Sequence, residues 1–278
     1  SNPEDSLFLK NVFTLYLSEL ASSEASSDYT QPTRYLNAIK KYQETIGKEV
    51  YPAPSKIKDE LFYNKVNLFS NVSYLLSLAG FSLLLLFFFY VTSDKAFPRK
   101  LLTGYQILSL LLLIIISIGI GLRWYIGGYI PISNSFEVMI FLSGVVLLTG
   151  LLFSQKQPVI LALSLILSFT FLLVSMMNNA NPEIGNLVPV LKSYWLSIHV
   201  AVITSSYALF ALAMMLALVN LTLYSIIPAK SFKKLEERTK QTGIFIQIIL
   251  IPGIYLLTIG TILGAIWANE SWGRYWGW

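Results

Sequence analysis

The side chains of this sequence best equipped for chemistry are one histidine, a group of tryptophans and two arginines. His199 is the only histidine, and Trp195 stands four residues before it, on the same face of any helix that holds both and about 6 Å away along its axis. The last twelve residues hold four of the six tryptophans: Trp267, Trp272, Trp276 and Trp278. An imidazole inside an apolar segment is costly without a partner. Three roles fit it: an iron ligand, a member of a proton relay, or a hydrogen-bonder to a neighbouring helix. The indoles have two readings: they anchor a helix where it meets water, or they form a flat apolar shelf for a planar ligand. Arg123, followed by Trp124, Tyr125, Tyr129 and Pro131, and Arg274 inside the tryptophan cluster, present guanidinium groups. These suit either the carboxylates of a ligand or headgroup phosphates.

Much other chemistry is ruled out. There is no cysteine, which removes thiolate metal sites, iron–sulfur clusters and disulfide exchange, so any thiol must come from a partner. One histidine without cysteine makes a poor zinc site. No Ser/His/Asp or Cys/His set, no phosphate-binding glycine loop and no carboxylate pair within the apolar stretches is present, which argues against a self-contained hydrolase or a nucleotide-driven pump. A small-molecule transporter would place polar groups near mid-membrane, and few are there. The net charge of +5 is spread over short loops without a basic stripe, so no nucleic-acid partner is expected.

The elements that must position these residues are apolar helices. The chain of 278 residues is 55% hydrophobic and 13% charged, with a mean hydropathy of +0.62. Six uncharged stretches have about the length a membrane helix needs: Val66 to Val91, Leu101 to Leu122, Phe136 to Phe153, Val159 to Met176, Trp195 to Ile226 and Ile244 to Ile266. Runs such as Leu83 to Phe89 are apolar throughout and lack the alternation of a membrane barrel. The fold class is therefore all-α, a polytopic membrane helix bundle of six transmembrane helices. Lys95, Arg99, Lys100, Lys156, Lys230, Lys233, Lys234, Arg238 and Lys240 fall on one side, against Arg123, Lys192 and Arg274 on the other, beyond the N-terminal segment. The positive-inside rule puts the second side outside the cytoplasm, together with the tryptophan cluster and the start of the fifth helix.

The same count puts residues 1–65 outside as an extracytoplasmic helical segment or junction, with residues 66–278 as the membrane domain. Two helices are predicted in the segment, from Pro3 to about Ala21 and from Gln31-Pro32 to a stop at Gly47. The start on Ser1 and the stop on Trp278 are read as the ends of a piece cut from a longer protein with a further membrane segment upstream. Asn134 and Glu137 have the spacing of a capping box, a local role favoured over chemistry. Gly260 and Gly264 fit a small-residue packing face, and Pro252-Gly253 should weaken or kink the sixth helix.

The string Gly264 to Trp278, with its tryptophans and Gly273-Arg274, resembles the tryptophan-rich WWD signature of proteins that handle haem in c-type cytochrome assembly, the CcsA/ResC component of system II. Ser193 to Val200 resembles that family's helix carrying an outer-face histidine, and Asn134-Ser-Phe-Glu137 resembles its helix start. The resemblance covers residues 66–278. It implies haem b held flat against the tryptophan segment at the outer face of a bacterial inner (cytoplasmic) membrane, then joined to the thiols of a Cys-x-x-Cys-His apocytochrome c. His199 would be an axial ligand of the haem iron, and Trp267, Trp272, Trp276 and Trp278 part of the platform, beside Trp195. Arg123 and Arg274 as partners of the haem propionates are an addition from the residues and not a family assignment. The implied partners are haem, apocytochrome c, membrane lipid and a CcsB/ResB-like protein, separate or fused through the N-terminal segment. In the family the motif continues into an aspartate and a second outer histidine, both absent from this sequence, so these residues alone are not expected to act as a complete cytochrome c synthase of haem-lyase type. Two other readings stand beside it: the system I relatives CcmC and CcmF, and a non-catalytic membrane scaffold with a tryptophan anchor.

Overall fold

A computed structural model describes residues 3–48, 51–93, 95–155, 157–177, 182–185, 187, 191, 193–226 and 232–275. Among them there is no strand, and the helices are α1 (Pro3–Ser26), α2 (Thr30–Ile46), α3 (Pro54–Val66), α4 (Leu68–Thr92), α5 (Arg99–Gly127), α6 (Ser135–Phe153), α7 (Pro158–Ser175), α8 (Tyr194–Ile226) and α9 (Phe232–Trp272). The chain divides into two compact units at Lys58/Asp59.

In the first unit α1 packs on α2. α1 runs past the expected end at Ala21 to Ser26, because Ser22 to Ser26 contains no breaker; it ends where Ser27 takes a left-handed φ of 56°. The carboxylate of Asp28 then accepts the Thr30 backbone N–H at the start of α2. Gly47 ends α2 as expected, with its N–H donating to the Gln43 carbonyl.

The second unit holds the six long apolar helices, and each expected stretch lies within or at the edge of one of them. The chain is an integral membrane protein. α7 is the central helix: two-thirds of its apolar window is buried, and it supplies residues to both cores. One core joins α4, α5, α6 and α7 around Leu76, Ile116, Leu147 and Leu161; the other joins α6, α7, α8 and α9 around Val146, Leu163, Leu212 and Ile249. Lipid tails remove the hydrophobic driving force between such helices, so close backbone approach and buried hydroxyl contacts replace it. A Cβ on Gly150 would overlap the Ser164 side chain, and one on Gly80 would lie 2.8 Å from Ile166. The hydroxyls of Ser143 and Ser168 meet at 2.7 Å between α6 and α7.

α8 and α9 are antiparallel, and glycines set their spacing. Gly253 faces Phe210, Gly260 faces the backbone and Cβ of Ile203, and Gly264 faces His199. The expected packing face at Gly260 and Gly264 is therefore present. At Pro252-Gly253 α9 continues through the proline, and Gly253 gives room to the Phe210 ring.

Candidate functional site

His199 lies just over one turn into α8, partly buried, with its ring against α9. Its Nδ1 is 2.7 Å from the carbonyl oxygen of Gly260. A carbonyl only accepts, so Nδ1 carries the proton and donates. In its neutral form such a ring keeps its lone pair on Nε2, the tautomer that leaves Nε2 able to ligate a metal or accept a proton. A Cβ at Gly264 would stand 2.6 Å from Cε1 and 2.8 Å from Nδ1, so the ring occupies space that only glycine leaves open. Of the three roles offered by the sequence, a hydrogen bond to a neighbouring helix is realised. It uses one nitrogen and leaves the other for a second role.

Trp267 follows Gly264 by three residues, less than one turn along α9. Its ring meets that of Trp272 edge to face, with centroids 4.9 Å apart and planes at 64°. The two indoles form a corner in place of one flat shelf. Trp272 is exposed and Trp195 is more than one-third exposed. The Trp267 Nε1–H is buried without a hydrogen-bond partner among the described residues, a donor in need of an acceptor. α9 stops at Trp272 because Gly273 takes a φ of 70° and its N–H caps the Asn269 carbonyl. Arg274 lies exposed just beyond this turn and forms no ion pair among the described residues. Trp276 and Trp278 lie outside the described residues.

The polar contacts of Arg123 are with neither the histidine nor the tryptophans. It is 2% exposed near the end of α5, and its Nε donates to Glu137 Oε1 at 2.9 Å. Further donation goes to the carbonyls of Pro182 at 2.7 Å and Glu183 at 3.3 Å, and the guanidinium lies 4.8 Å from the centre of the Phe136 ring. The sequence offers Arg123 two anionic partners, a ligand carboxylate and a headgroup phosphate; the structure supplies a third, inside the protein. Glu137 was legible only as a cap residue. Asn134 does cap α6, its Oδ1 accepting the Glu137 N–H at 2.9 Å. The Glu137 carboxylate, however, takes the Ser133 N–H and hydroxyl on Oε2 while facing Arg123 with Oε1. Nearby Tyr129, in the loop between α5 and α6, has its phenol pushed above the usual value, first by burial and then by the Glu137 charge. Among the described residues no group of three or more His, Cys, Asp or Glu forms a metal cluster.

Residues 132–278, which carry α6 to α9 with Glu137, His199 and the tryptophans, match the family model described as cytochrome C assembly protein. The chain belongs to the cytochrome c assembly protein family. Protein NrfI of Wolinella succinogenes is 35% identical over 259 residues, 93% of this chain and 29% of NrfI. The cytochrome c biogenesis protein CcsA of Guillardia theta is 33% identical over 192 residues, 61% of this chain and 64% of that protein. CcsA of Prochlorococcus marinus strain MIT 9301 is 29% identical over 250 residues, 76% of this chain and 78% of its own length. This member of the cytochrome c assembly family thus spans less than one-third of NrfI and about three-quarters of that CcsA.

Proposed function

We propose that this chain handles haem b in the assembly of c-type cytochromes by system II, presenting it at the extracytoplasmic end of α8 and α9. The observation that carries the reading is the placement of His199: Nδ1 is tied to Gly260, which leaves Nε2 as the nitrogen available to a ligand, next to the helix end that bears Trp267 and Trp272. The residues present fit haem. Imidazole Nε2 suits the iron, an indole face suits the macrocycle, and the exposed Arg274 suits the carboxylates at its edge. The names of the relatives, cytochrome c biogenesis protein CcsA among them, support the same assignment.

Haem here is cargo, and the chain's own residues bind and orient it. His199 ligates, and the tryptophan corner fixes the plane. Trp276 and Trp278 belong to the same sequence motif. Arg123 is held by Glu137 and serves this end of the bundle as a structural cation, so propionate recognition falls to Arg274. With no cysteine in the chain, the thiols that receive haem belong to a Cys-x-x-Cys-His apocytochrome. With one histidine, a second imidazole on the iron comes from outside these 278 residues. A CcsB/ResB-like protein, separate or fused, is the partner this reading calls for, and the bacterial inner membrane is the location. The comparison of charged loops supports placing the site on the outer face.

The test is the absorbance spectrum of the detergent-purified protein, wild type and His199→Ala, after expression with haem available. A Soret band in the wild type that weakens or shifts in the variant is expected. An unchanged band in the variant removes His199 from the iron, and no band in either leaves the tryptophans as membrane anchors.

A further inference from the structure

His199 does not hold its own position. Its ring is gripped by the backbone of α9 at two points one turn apart: the Gly260 carbonyl, 2.7 Å from Nδ1, and the Cα of Gly264, where a methyl group would overlap Cε1 and Nδ1. α9 then carries Trp267 within the next turn. We propose that Gly260 and Gly264 are positioning residues for the haem-ligating imidazole: the Gly260 carbonyl fixes the tautomer, and the absent side chain of Gly264 fixes the ring's place relative to the tryptophans. This rests on the haem reading of His199.

The physical case has two parts. A ligating imidazole rotates about its side-chain bonds unless its second nitrogen is tied, and a carbonyl acceptor on Nδ1 both stops that rotation and raises the electron density at Nε2. Histidine ligands in general depend on such a partner, whose loss costs roughly ten- to hundredfold in metal affinity. Here the partner is backbone, so no side-chain deletion removes it; the ring has to be pushed off it instead. Alanine at Gly264 does that, because its Cβ would lie 2.6 Å from Cε1.

Gly253 provides the matched control. An alanine there would place its Cβ 2.7 Å from Cε1 of Phe210, an equally severe clash with an aromatic ring between the same two helices, and it leaves His199 untouched. The experiment titrates haemin into detergent-purified wild type, Gly264→Ala, Gly253→Ala and His199→Ala. Soret absorbance and band position are read per folded protein, with folding checked by helical circular dichroism and size-exclusion profile. The expected result is a roughly tenfold or greater loss of haem affinity, or a shifted band, in Gly264→Ala, with Gly253→Ala close to wild type. A wild-type band in Gly264→Ala together with loss in His199→Ala overturns the positioning role and leaves the haem reading intact. Equal losses in the two glycine variants make Gly264 a packing residue and also overturn it. A wild-type band in His199→Ala removes His199 from the iron and the positioning role with it.

Discussion

At the scale of single residues, the end of the bundle around His199 also contains a buried ion pair whose energetics can be separated from haem. Arg123 and Glu137 are each about 1% exposed at the side chain. Removing either partner leaves the other charge buried and unpaired, a loss of about 3–5 kcal/mol. Arg123→Met and Glu137→Leu are each expected to lower the thermal midpoint in detergent strongly, and the double variant is expected to fall short of the sum. Glu137→Leu also costs the bonds to Ser133, so the double variant stays below wild type. Additive losses would show that the two charges do not depend on each other. The sequence made Arg123 visible as a cation and Glu137 visible as part of a helix start, but not their pairing. Fourteen residues and a loop separate them, and an N-x-x-E spacing serves a cap and a counter-ion equally well. His199 stood out for the opposite reason: an imidazole in an apolar run is costly without a partner. Its tie to Gly260 was hidden, because a backbone carbonyl has no signature in the sequence.

At the scale of elements, the six membrane helices were legible to within a few residues at most ends, since hydropathy and length define them directly. Their order of burial was not. In α7 67% of the apolar window is buried, and in α9 only 17%, although both read as uniformly apolar. A lipid-facing leucine and a helix-facing leucine look alike when the solvent is hydrocarbon. Small residues carry the missing information, and the reading of Gly260 and Gly264 used it, whereas the contact of Gly150 with Ser164 went unread. That contact makes a sharp prediction for α6 and α7. Gly150→Ala forces apart two helices in backbone-close contact, and overpacking of this kind typically costs about 1–3 kcal/mol. Gly144→Ala on the same helix meets nothing closer than 3.8 Å and is expected to leave stability unchanged. Thermal midpoints of the two variants compared in one detergent decide it; equal midpoints would mean that the α6–α7 contact yields at no cost.

At the scale of the whole molecule, the proposed function requires that the start of α8 and the end of α9 face the side where apocytochromes receive haem. The alternation of helices puts the loop of residues 128–134 on the same side as Trp272, and the turn at Ser93 on the other. The excess of Lys and Arg in the loops on the Ser93 side assigns that side to the cytoplasm. The absence of cysteine makes this directly measurable, because a single introduced thiol is the only one on the chain. Ile132→Cys and Ser93→Cys, expressed separately in intact cells, are expected to differ: a membrane-impermeant maleimide labels the first without lysis and the second only after lysis. The reverse pattern would place His199 and the tryptophans on the cytoplasmic side. Haem held there would have no access to an extracytoplasmic thiol, so the ligand chemistry of His199 could survive intact while its proposed role in presenting haem to the apocytochrome failed.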